Sequence, residues 1–245
     1  HSAALNHKIA ERAELEIGLR HALVRRELLM HYQPRIDVRN GRLIGFEALL
    51  RWQHPRFGLL APERFLPILE SSGLIHSVGE WILANAAAQL KAWQTQFDLP
   101  DLTVAVNLSP AQLERGRIVE SVMKALEDTN LDPGCLELEV MATGMNHRRR
   151  MPTHIMAELN ALGVRISLDR FGTQDISFRS LDSGVVDTFV IDRSLIGDLQ
   201  ENEDHQRLVR AAIAMTRGLD IEVAAEGVET AEQLDFLREC NCDLA

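Results

Sequence analysis

The chain has 245 residues, a formal net charge of −10 and 46% hydrophobic residues. This size and balance fit a soluble globular fold with a substantial core, either one α/β barrel or two small domains. No apolar run approaches the ~20 residues that span a bilayer, the opening residues do not read as a signal peptide, and the acidic balance argues against a nucleic-acid surface. Three cysteines, Cys135, Cys240 and Cys242, form no disulfide framework, and Cys240-Asn241-Cys242 lacks the rest of a zinc site, so a reducing, cytoplasmic setting is expected. The basic cluster His147–Arg150 reads as a solvated loop.

In chain order, residues 7–28 read as a helix, with Ile9, Leu15, Leu19, Ala22, Leu23 and Leu28 at helical spacing. Its abrupt opening suggests a connector from a longer protein, covering residues 1–28 and leading into a domain at 29–245. Met30–Ile36 reads as a strand. Asn40-Gly41 is a turn signal, so the next strand, within Leu43–Pro55, should form an antiparallel hairpin with the first. That second strand is a nearly continuous apolar run holding Glu47 and Arg51, and a charge embedded in such a run needs a counter-charge, a metal or an anionic ligand. Helices follow at Pro62–Ser71 and Ser77–Phe97.

An alternation then sets in. Strands at Leu102–Leu108, Cys135–Met141, Arg165–Phe171, Thr188–Ile191 and Glu222–Ala225 alternate with helices at Pro110–Asp128, Thr153–Leu162, Asp204–Gly218 and Ala231–Glu239. This pattern predicts a mostly parallel sheet with right-handed crossovers, and about seven strands in such a length point to a (β/α)8-type barrel. The sequence reaches Asp243-Leu244-Ala245 just where an eighth strand should begin, so the last strand and helix are expected beyond this chain.

The informative polar residues terminate or interrupt the apolar strands. Asn107 ends Val104-Ala105-Val106, and Glu139 comes late in Leu136–Val140. Asp169, Asp192 and Glu226 each follow a short apolar run. In a barrel the C-terminal strand ends converge on one mouth, where these residues and Glu47 would meet. Convergent carboxylates repel one another unless a cation lies between them, and an all-oxygen set suits Mg²⁺, Mn²⁺ or Ca²⁺ rather than zinc.

These motifs together resemble the EAL domain family of bacterial cyclic di-GMP phosphodiesterases and their degenerate receptor relatives. The resemblance rests on Tyr32-Gln33-Pro34, Glu47-Ala48-Leu49-Leu50-Arg51-Trp52 with His54-Pro55, and Val106-Asn107-Leu108-Ser109. It continues through Leu136-Glu137-Leu138-Glu139, Asp169 with Phe171-Gly172-Thr173, Val186-Asp187, Ile191-Asp192-Arg193-Ser194 and Ala225-Glu226-Gly227-Val228-Glu229-Thr230. It implies a TIM-like barrel with an antiparallel second strand, whose divalent ions help open one phosphodiester of the cyclic dinucleotide to give linear pGpG. By position, Glu47, Asn107, Glu139 and Asp169 match the metal-binding set, with Glu47 catalytic if the domain is active. Gln33, Leu50, Arg51, Asn107, Asp187, Glu226 and Glu229 match nucleotide-binding positions.

The departures from the family pattern bear on activity. Active members carry a second aspartate where this chain has Arg170, a lysine where it has Val190, and a glutamate where it has Ala142. Valine neither donates nor accepts a hydrogen bond. The loop after the fifth parallel strand reads Phe171-Gly172-Thr173-Gln174-Asp175-Ile176-Ser177 and has lost a glycine, weakening the expectation of a homodimer. A partial site for Mg²⁺, Mn²⁺ or Ca²⁺ and a metal-free site are both compatible with this set. The first reading is therefore an inactive cyclic di-GMP receptor joined to an upstream GGDEF or sensory domain, without nucleic-acid or membrane contact of its own. A nucleotide-free interaction module and an active phosphodiesterase are the alternatives.

Overall fold

The computed structural model describes residues 2–114, 117–141, 153–171 and 184–245. Strand β1 (Leu28–Ile36) and strand β2 (Leu43–His54) form the expected antiparallel hairpin, with Gln33 opposite Glu47. The turn is made as its sequence demands. Gly41 has φ +70°, and its N–H donates to the Asp37 carbonyl at 2.8 Å. A short β3 (Gly58–Leu60) folds back on the end of β2.

From β2 the sheet continues through β4 (Thr103–Leu108), β5 (Leu136–Met141), β6 (Arg165–Phe171), β7 (Thr188–Ile191) and β8 (Glu222–Ala225), every neighbouring pair parallel. Along the path from β1 through β2 to β8, with β3 lying off it, the opposed strand is thus β1 and not, as the resemblance suggested, the second strand: β2 runs parallel to β4. Close approach fixes this pairing. A Cβ on Gly45 would lie 2.2 Å from Thr103 Oγ1 and 2.5 Å from its carbonyl oxygen, so only glycine fits between the two strands.

The place foreseen for an eighth barrel strand is taken by Asp243–Ala245. Leu244 bridges Ala224 in parallel and Asp37 in antiparallel fashion. Ile36 N–H donates to the Ala245 carbonyl at 2.7 Å, and Ala245 N–H returns the bond at 3.0 Å. The curled sheet is linked edge to edge by these three residues.

Helices α1 (Ser2–Ala22), α2 (Leu66–Ser72), α3 (Ile75–Phe97), α4 (Pro110–Glu114), α5 (Ile118–Thr129), α6 (Thr153–Ala161), α7 (Arg193–Ile196), α8 (Glu203–Arg217) and α9 (Ala231–Glu239) surround the sheet. Helix α1 ends at Ala22, short of the expected residue 28, because the chain turns at 23–26 to enter β1. It packs beside Trp52 and His54, with Leu15, Leu19 and Ala22 buried, and Glu27 accepts a 3.1 Å hydrogen bond from Trp52 Nε1. Helix α9 carries a capping box in which Thr230 and Gln233 satisfy each other's backbone N–H groups. No helix among the described residues is long and apolar enough to cross a membrane.

The strands sort their side chains by parity. On β5, Leu136, Leu138 and Val140 enter the main hydrophobic core, while Glu137 and Glu139, both buried, lie on the other face. On β6, Ile166 and Leu168 take the apolar side, and Arg165, Ser167 and Asp169 the polar one. The barrel interior is accordingly ionic at its centre, and the apolar core lies between sheet and helices.

Candidate ligand and metal site at the barrel mouth

Register builds the site. Asn107 on β4 stands opposite Glu139 on β5, and Asp169 on β6 opposite Met141. Asn107 Nδ2 donates to Glu47 Oε1 at 2.7 Å, tying β4 to β2 across the mouth. Glu47, Glu139 and Glu226 place carboxylate oxygens within 4.8 Å of one another. A cavity of about 400 Å³ opens over them, and Gln33, Arg35, Val190, Gly227 and Glu229 also line it.

The electrostatics follow from burial. Glu139 titrates well above its ordinary range, because desolvation and the charges of Glu47, Glu137 and Asp169 outweigh the attraction of Arg35. Glu47 is raised too, chiefly by desolvation, with the Asn107 hydrogen bond pulling the other way. Arg35 is the counter-charge. Arg35 is 8% exposed, and its guanidinium donates to Glu137 Oε1 at 3.0 Å and lies 3.8 Å from Glu139 Oε1. Below it, Arg165 Nε lies 3.8 Å from Glu137 Oε2, and Arg165 Nη2 bonds Glu222 Oε2. Glu139, Arg35, Glu137, Arg165 and Glu222 thus form an alternating ladder of charge along the interior.

Sequence reasoning missed Arg35, Glu137 and Arg165 as members of this cluster. The signal was there: Leu136-Glu137-Leu138-Glu139 and Arg165-Ile166-Ser167-Leu168-Asp169 alternate with the period of a strand polar on its inner side.

The remaining expected residues are distributed as follows. Gln33 is exposed on the rim opposite Glu47. Arg51 is half-buried on the Glu47 side of β2, with Nη1 donating to the Leu50 carbonyl at 2.8 Å. Leu50 turns its side chain into the hydrophobic core. Val190 is 2% exposed and Glu226 half-buried, both at the cavity.

Asp187 is not brought to the mouth. It lies at the opposite end of the strands beside Arg165 and Glu222, where Oδ2 accepts from Ile166 N–H at 2.8 Å. Asp192 caps α7, accepting from Ser194 N–H at 2.8 Å. Ala142, the side chain of Arg170 and the 172–177 loop lie outside the described residues.

A profile of the EAL domain matches residues 18–245. The chain belongs to the EAL domain family. This EAL domain is 39% identical over 241 residues to MucR of Pseudomonas aeruginosa, a bifunctional diguanylate cyclase/cyclic di-GMP phosphodiesterase, covering 98% of this chain and 35% of MucR. It is 32% identical over 233 residues to PdeR of Escherichia coli, a cyclic di-GMP phosphodiesterase, covering 95% of this chain and 35% of PdeR. The EAL domain therefore spans about a third of the length of these curated relatives.

Among solved structures, a MucR phosphodiesterase complex with cyclic di-GMP superposes with a TM-score of 0.89 at 40% identity, covering 94% of this chain and 93% of that one. The EAL enzyme Bd1971, in a form bound to cAMP and cyclic di-GMP, gives a TM-score of 0.90 at 27% identity, covering 96% of this chain and 64% of that one.

The mouth of this EAL domain fits a hard divalent cation. Its donors are all oxygen, and Glu139 Oε2 is buried without a hydrogen-bond partner among the described residues. Glu47, Glu139 and Glu226, with Asn107 and Asp169 adjoining, are the residues that would hold the ion. When bound, such an ion would neutralise the carboxylates and act as a Lewis acid on an oxygen brought to it.

Proposed function

We propose that this EAL domain is a receptor that binds cyclic di-GMP at the barrel mouth without hydrolysing it, and passes occupancy on to neighbouring domains. The observation that carries the second half of this reading is Val190. It is the side chain that β7 turns towards the cavity, 2% exposed, and it can neither donate nor accept a proton. No lysine among the described residues lines the cavity. Hydrolysis requires a water held and deprotonated beside the phosphorus. Aliphatic surface on one wall of the mouth removes a hydrogen-bonding partner for that water.

The binding half is supported by the retained polar groups. Gln33 on the rim, Arg51 on the Glu47 side of β2 and the Glu47–Asn107 pair offer donors and acceptors that a guanine edge and a phosphodiester can use, and an arginine fork suits phosphate. The 40% identity to a domain seen with cyclic di-GMP adds to this support. An upstream GGDEF or sensory domain, joined through α1, is part of the same proposal. The packing of α1 on the outer face of β2, the strand that carries Glu47 and Arg51, supplies a physical route for it.

The test is a calorimetric titration of cyclic di-GMP, once with Mg²⁺ or Ca²⁺ and once with EDTA, followed by chromatography of the cell contents. Binding without pGpG is expected. Formation of pGpG at an ordinary enzymatic rate would make the domain a phosphodiesterase. No heat from folded protein in either buffer would leave an interaction module.

A further inference from the structure

The acidic mouth already contains a cation. Arg35 enters the barrel from β1, lines the same cavity as Glu47, Glu139 and Glu226, and is held at its far side by Glu137 at 3.0 Å. Its Nη1 points toward Glu139, 3.8 Å from Oε1, and is buried with no hydrogen-bond acceptor among the described residues. Arg35 cannot lose its charge, so this positive end is permanent. Glu137 in turn faces Arg165, so the guanidinium is anchored on a charged support rather than on a mobile surface.

We propose that Arg35 is a resident counter-cation: it holds the mouth carboxylates together without a divalent ion, and by the same charge it competes with such an ion for them. A divalent ion bound by the oxygens of Glu47, Glu139 and Glu226 would stand close to a fixed positive charge, in a region where water screens poorly. Part of the attraction that the carboxylates offer is already spent on the guanidinium. The mouth of this chain therefore takes a divalent ion weakly by itself. This inference deepens the receptor reading and rests on it for its biological meaning, since a site stable without metal can hold a ligand without metal.

The test measures Mn²⁺ alone, with no nucleotide, by calorimetry and by the electron paramagnetic resonance of free Mn²⁺ on the 245-residue chain. Glu137→Gln provides a background in which Arg35 is no longer needed to balance Glu137, its hydrogen-bonded partner. Adding Arg35→Gln to it is expected to tighten Mn²⁺ binding by about tenfold or more, because a like charge beside the ion has gone. Arg35→Met in a Glu137→Leu background, an apolar replacement of the pair, carries the same expectation relative to Glu137→Leu. Arg35→Lys, which keeps the charge, should stay close to the parent.

Equal or weaker Mn²⁺ binding after removal of Arg35 overturns the proposal, since Arg35 would then assist the ion instead of opposing it. Insensitivity of Mn²⁺ binding to Glu139→Gln also overturns it, because the ion would lie elsewhere. Ion affinity is read without nucleotide or turnover, so failure of the receptor reading leaves this result unchanged.

Discussion

Arg35→Met tests whether the interior ladder of charge holds the barrel. The substitution keeps most of the side-chain volume and removes the cation from Glu137, which is 3% exposed and loses its 3.0 Å partner. Breaking a buried pair by removing one member costs about 3–5 kcal/mol, because the other charge stays buried without compensation. The low end applies here, since Arg165 Nε remains 3.8 Å from the other oxygen of Glu137. At roughly 2–4 °C per kcal/mol for a chain of this size, a cost of about 3 kcal/mol lowers Tm by about 6–12 °C. Urea unfolding followed by circular dichroism measures the cost directly. Arg35→Met/Glu137→Leu removes both charges of the pair and should recover part of that loss, the remainder reflecting Glu139 and Arg165, which each lose a neighbour in the ladder. A single substitution costing less than about 1 kcal/mol, or a double one costing as much as the single, would refute the claim that this ion pair organises the interior.

Two further outcomes are expected. Glu47 and Glu139 both titrate above 4.5 in the folded chain, so the folded state keeps protons that the unfolded state has lost, and stability from these groups falls as pH rises from about 4.5 through their raised values. Melting temperature should therefore decline as pH rises above about 4.5, and Glu139→Gln should flatten that slope; a slope unchanged by the substitution counts against the burial argument. Gly227 has φ +75° and a Cβ there would lie 2.6 Å from Arg193 Cβ, so Gly227→Ala strains the backbone beside Glu226 and should weaken cyclic di-GMP binding by about tenfold or more with little change in secondary structure. Calorimetry with unchanged affinity would show that the Glu226 loop is not part of the binding surface.

The sequence by itself determined the class of fold and which strands end in oxygen-bearing side chains. Short apolar strands alternating with amphipathic helices specify a mostly parallel sheet, and the strand-end positions of Glu47, Asn107, Glu139, Asp169 and Glu226 place oxygen-bearing side chains at one end of it. Both features are local in the chain, and local spacing is what a sequence displays directly. Tertiary structure decided the rest. Whether Asp187 faces the mouth or the opposite end depends on which side of a four-residue strand it lies, and it stands at the N-terminal side beside Arg165 and Glu222. Asp192 looked like one more mouth carboxylate until the turn into α7 made it a cap. The direction of β1 against the remaining strands and the bridging role of Asp243–Ala245 come from register across the sheet. Arg35 belongs to the site because β1 lies near Glu137 and Glu139 in the closed interior, 102 residues from Glu137 in the chain. Buried charge finds its partner through space, and only the folded chain brings that partner within 3.0 Å.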